Sequence, residues 1–110
     1  MNTMVTLQLN EYLSKDDFPK NGMMRIKFLD EGVMGTAVFD GKEVETFEIG
    51  VTLPTGEEKR WTMNKTSQRS VAELYGKDTS TWVGETADLF LSDTNVGGKI
   101  KKAIYARGRQ

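Results

Sequence analysis

The sequence predicts a mainly β domain: a five-stranded antiparallel barrel with one short helix between the third and fourth strands. Three observations carry this reading. Apolar and polar residues alternate with a period of two in separate stretches from Met23 onward. Turn signals, Asp40-Gly41 and Pro54-Thr55-Gly56, stand between the first of these stretches. A single run, Val71, Leu74 and Tyr75 with Ala72 beside them, has the i, i+3, i+4 spacing of a helix face. The same elements could instead form an open antiparallel α+β sheet with the helix on one side.

The first 22 residues read as a weakly structured segment. Val5, Leu7 and Leu9 alternate with Met4, Thr6 and Gln8, enough for a short strand, and Asn10 to Phe18 has room for one helical turn before Pro19. The barrel is expected over residues 23–107. In its first strand Met24, Ile26 and Phe28 point one way and Arg25 and Lys27 the other. Gly32 and Gly35 precede Thr36 to Phe39, so residues 23–39 read as one long strand bent at glycine. Asp40-Gly41 then signals a type I′ hairpin. The return strand, Lys42 to Leu53, has Phe47, Ile49, Val51 and Leu53 in phase, and the third strand, Glu57 to Asn64, has Trp61 and Met63 in phase.

Thr66 or Ser67 is suited to cap the helix N-terminus, and Gly76 to end it. A helix of about ten residues is not stable alone in water, so it must lie on an apolar surface, and Trp82 and Val83 are the nearest partners in sequence. Glu85 to Leu91, with Ala87, Leu89 and Leu91 in phase, and Lys99 to Arg107, with Ile100 and Ile104 in phase, form the last hairpin around a loop from Ser92 to Gly98. Residues 108–110 are expected to fray. Five antiparallel strands can hide their edges by closing on themselves. This order, with its helix between strands three and four, is that of an OB-like barrel.

The chain has 110 residues, the size of one domain, and no cysteine or histidine. It therefore lacks disulfides, thiol chemistry, and the commonest general base and metal ligand. No run is long and apolar enough for a membrane helix, and cytoplasmic residence is the expectation. The net charge of −1 is unevenly spread. Residues 1–58 hold five basic and eleven acidic side chains, and residues 59–110 hold ten basic and five acidic. That asymmetry suggests a positive face on an otherwise acidic protein.

Asn64-Lys65-Thr66, Leu74, Gly76, Trp82-Val83-Gly84 and Gly98-Lys99 ahead of Ile104 resemble a pattern shared by small, mostly uncharacterised proteins of phages, archaea and archaeal viruses. The resemblance covers about the last half of the chain. It implies an OB-like fold and a link to nucleic acid, with host cytoplasm as the compartment if the protein is viral.

Catalysis is not expected. Asp16-Asp17 and Glu57-Glu58 are adjacent and point apart in extended chain, so neither makes a positioned carboxylate pair. Asp93 begins a calcium-like loop, but its twelfth position is Ile104 where a bidentate Glu is needed. No cofactor is implied. Binding is the better reading, because an OB barrel holds single strands with stacked aromatic rings and a basic groove. The candidates are Arg25 and Lys27 on the first strand, Lys59, Arg60 and Trp61 on the third, Lys65 at the helix start, and Lys101, Lys102, Tyr105 and Arg107 on the last. Trp61 shares its phase with Met63, a core pattern as much as a platform. A protein-interaction or structural module, in which the barrel edge or Glu43, Glu45 and Glu48 meet a basic partner, is the competing reading, and the acidic balance favours it; its partner is a protein, or the chain forms a homodimer.

Overall fold

The computed structural model describes residues 12–107. In it the alternating stretches become β1 (Met23–Phe28), β2 (Val33–Phe39), β3 (Lys42–Thr52), β4 (Glu58–Met63), β5 (Thr86–Val96) and β6 (Lys99–Arg107), and the helical stretch becomes α1 (Lys65–Tyr75). Short 3-10 helices lie at Lys15–Asp17, within the segment expected to hold a helical turn, and at Thr79–Trp82. The expected strand from Met4 to Leu9 and the 108–110 tail lie outside the described residues.

The bent first strand is two strands, and the bend has a physical cause. The Asp30 carboxylate accepts from the N–H of Gly32 at 2.8 Å and of Gly50 at 3.2 Å, which folds the chain back against β3. Gly32 has φ +75°, and a Cβ there would run into the Phe47 ring. Both pieces pair antiparallel with β3, β1 through Lys27↔Thr52 and Phe28↔Val51, β2 from Val33↔Glu48 to Phe39↔Lys42. On the other side of β3 lies β4, and β1 continues to β5 and then β6, all antiparallel. The result is a six-stranded, mainly β sheet.

Among the described residues this sheet is open, because no ladder joins β4 to β6. Other groups occupy the two facing edges. Tyr12 forms a parallel bridge with Arg60, and the Leu13 N–H donates to the Arg60 carbonyl at 2.7 Å. On β6, the Ile104 carbonyl accepts from Asn64 Nδ2 at 2.9 Å, and the Ala106 N–H donates to Ser67 Oγ at 2.9 Å. The start of α1 therefore meets β6 where a barrel-closing strand would.

That arrangement corrects the expected cap. Asn64 is the N-cap, its Oδ1 accepting from the Ser67 N–H at 2.8 Å, and Ser67 is fully buried inside the first turn. The helix ends at Gly76 as its sequence indicates. The expected loop from Ser92 to Gly98 is mostly strand, since residues 92–96 pair one by one with 99–103 and leave only Gly97-Gly98 for the turn. The hairpin at Asp40-Gly41 has positive φ at both residues, 52° and 75°, as a type I′ turn requires.

One face of the sheet packs on α1. Ile26, Phe28, Ile49, Val51, Val71 and Leu89 are each at most 1% exposed. Trp82 fits against Phe28 and Phe47, with ring centroids 5.6 and 6.0 Å apart, and donates from Nε1 to the Gly76 carbonyl at 2.9 Å. It joins the end of the helix to the core, which is how so short a helix is held. No helix among the described residues is long and apolar enough to cross a membrane.

Candidate nucleic-acid interface

If Ala87 and Leu89 face the core, then Thr86, Asp88 and Phe90 face outward. Register extends this face to both neighbours of β5. Arg25 and Arg107 flank Asp88, Met23 and Tyr105 flank Phe90, Lys27 lies opposite Thr86, and Lys101 lies opposite Thr94. Three strands thus bring together residues about eighty positions apart in the chain.

The centre of this face is a ring pair. Phe90 and Tyr105 are half-buried, with centroids 5.8 Å apart and planes tilted by 30°. The Arg107 guanidinium covers the Phe90 ring at 5.4 Å. Arg25 and Arg107 line one hollow with Tyr75, Thr86 and Asp88. Arg25 Nε donates to Asp88 Oδ1 at 2.7 Å, and this hydrogen bond, with the attraction of the carboxylate, raises the arginine pKa further. Asp88 fixes the guanidinium in place without removing the excess of positive charge: among the described residues, Arg25, Lys27, Lys101 and Arg107 share the outward phase of β1, β5 and β6 with this one carboxylate.

The other predicted site residues are elsewhere, each for a local reason. Trp61 is 3% exposed and lies in the core with Met63, so it offers no ring face to a base. Lys59 has the same phase and is buried, its Nζ 3.7 Å from Asp17. Arg60 faces outward between two carboxylates, 2.9 Å from Asp30 and 3.7 Å from Glu48. Lys102 is on the opposite face of β6 and pairs with Asp93 at 2.8 Å. Lys65 lies on α1, in a groove separate from the ring pair.

The Asp30 carboxyl is held below the ordinary carboxylate range. Partial burial opposes its charge, but the N–H groups of Gly50 and Gly32 and the Arg60 guanidinium outweigh that effect. Asp30, Glu48 and Arg60 are therefore a structural cluster, completed by the Tyr12 hydroxyl donating to Glu48 at 2.8 Å. Among the described residues no three carboxylates gather as metal ligands would.

Phe90 was the missing member of the site. Its signal was present in the alternation that places Ala87, Leu89 and Leu91 in phase, because any residue out of that phase faces away from the core.

No family model, curated protein or solved structure matches this chain. The functional reading therefore rests on the geometry of the outer face alone.

Proposed function

We propose that the protein binds single-stranded nucleic acid on the outer face of β1, β5 and β6, using an OB-like frame, and that it is a binding protein rather than an enzyme. The observation that supports this reading is the Phe90–Tyr105 ring pair set among Arg25, Lys27, Lys101 and Arg107. Rings take bases of any identity by stacking, and flanking cations take the phosphates, so the expected binding is tolerant of sequence. The strand type proposed for the test is single-stranded DNA.

The reading is tested by fluorescence anisotropy of a labelled oligonucleotide across a range of salt. The logarithm of the binding constant should fall linearly with the logarithm of salt, by roughly 0.7 for each phosphate contacted. Duplex of the same sequence should bind more weakly, because its bases are not free to stack on the rings. Absence of binding at low ionic strength overturns the proposal.

A further inference from the structure

We infer that two copies of the chain associate by exchanging their β2–β3 hairpins, each seated in a groove beside the helix of the other. This inference does not depend on nucleic-acid binding. It begins with two surfaces that the fold leaves uncovered. Beyond Met34 and Phe47, where the core ends, β2 and β3 continue as a two-stranded arm for five more residue pairs, about 17 Å. Val38 is 69% exposed and Phe39 63%. They point to opposite faces of the arm, so each face carries an exposed apolar side chain. Asp40, Glu43 and Glu45 accompany them against the single Lys42, so two such arms repel each other and the arm calls for a basic, partly apolar site.

The groove has that chemistry. It encloses about 650 Å³ between the foot of the arm and α1, a size typical of built sites, which span roughly 300–1,000 Å³. Its floor is Met34, Phe47, Ala72 and Trp82. Lys65 and Arg69, from one stripe of α1, and Lys77 beyond its end form the rim, facing Glu31 on the other side. These three cations are exposed and have no ion pair among the described residues.

Register fixes how the two surfaces are related. Val38 is opposite Glu43 and Thr36 opposite Glu45, and both pairs share their face with Met34 and Phe47. This face of the arm, acidic at Glu43 and Glu45 and apolar at Val38, therefore looks to the same side of the sheet as the groove. A two-fold axis can lay each arm across the groove of the other copy, burying the same patch on both chains and closing the assembly at two. Carboxylates Glu43 and Glu45 would meet Lys65, Arg69 and Lys77, while Val38 extends the apolar floor.

The test is sedimentation velocity on the full chain without nucleic acid, at low and high salt. The wild type should sediment as a dimer at low salt and dissociate as salt rises. Glu43→Lys with Glu45→Lys, and separately Lys65→Glu with Arg69→Glu, should each halve the mass, because each places like charges across both contacts. An equimolar mixture of the two variants should recover the dimer, since each contact then joins opposite charges again. That recovery also shows that both variants are folded. A wild type that remains monomeric at low salt, variants that dimerise as the wild type does, or a mixture that stays monomeric although both variants unfold cooperatively by circular dichroism would overturn the inference. Because the readout contains no oligonucleotide, its failure leaves the binding proposal standing, and the reverse also holds.

Discussion

Tyr105→Ala removes the more open half of the ring pair, since the Phe90 face is already covered by Arg107. Stacking one base on an aromatic ring contributes about 1–3 kcal/mol. The substitution should therefore weaken oligonucleotide binding by roughly 5- to 150-fold. It should do so equally at every salt concentration, because the tyrosine contacts no phosphate. Losing a cross-strand ring pair costs the fold only about 0.2–1 kcal/mol, so the variant should remain folded and its thermal midpoint should show it. Tyr105→Phe keeps the ring and should bind as the wild type does. Arg107→Gln should behave differently, lowering affinity and also reducing the salt slope by about 0.7 for a lost phosphate contact. Lys102→Gln, on the opposite face of the same strand and paired with Asp93, should change neither quantity. The assay is anisotropy with a labelled oligonucleotide at several salt concentrations. If Tyr105→Ala binds like the wild type, or if Lys102→Gln weakens binding as much as Arg107→Gln, the ring pair is not the site.

Two further predictions concern the frame. Asp30→Ala should destabilise the fold by about 1–3 kcal/mol in urea melts, mainly through the stranded N–H groups of Gly32 and Gly50. The Arg60 pair adds little, because the Asp30 side chain is 46% exposed. Since the folded pKa of Asp30 lies below its unfolded value of about 3.9, its contribution is complete above that pH and is lost as pH falls further, through the folded value. Asp30→Asn should accordingly flatten the acid limb of stability measured against pH, and an unchanged limb would assign the acid sensitivity to other groups. Ser67→Ala removes the acceptor for the Ala106 N–H in a site that is 0% exposed at Ser67 and 3% at Ala106. It should cost about 1–3 kcal/mol and speed amide exchange at Ala106 ahead of the rest of β6. Exchange at Ala106 as slow as in the wild type would show that the bond does not hold the strand.

What the sequence made legible was whatever depends on local period. Alternation located β1, β3, β4, β6 and the first half of β5, Asp40-Gly41 and Gly76 marked their own turn and helix end, and Trp82 reads as core because it follows a helix too short to stand alone. Contacts across the chain were not legible in the same way. Ser67 has the chemistry of a cap, and only the approach of β6 shows that its hydroxyl is needed for Ala106 instead. Arg60 reads as a free cation until the bend at Gly32 brings Asp30 against it. Ser92 to Gly98 reads as a loop because its residues are polar, yet a ladder needs only a partner strand, and residues 99–103 provide one. Half of the predicted site came together for a related reason. Arg25, Lys27, Lys101, Tyr105 and Arg107 share an outward phase on β1 and β6, and β5 is the strand that makes these two near neighbours.

The location of the ring pair also separates frame from ligand. In the OB-like frame proposed above, β3 and β4 correspond to the strands whose outer face usually holds oligonucleotides. Here that face pairs Glu48 with Thr62, Gly50 with Arg60 and Thr52 with Glu58, and its one arginine is already engaged by Asp30 and Glu48. Moving Arg60 onto a phosphate would break its pairing with Asp30 and Glu48, and would bring the phosphate toward Glu48 and Glu58. The face of β1, β5 and β6 asks for no such exchange, since Lys27 and Lys101 make no ion pair among the described residues and Arg107 rests on a ring. Side chains, not strand order, decide which face of a shared architecture can hold an anion.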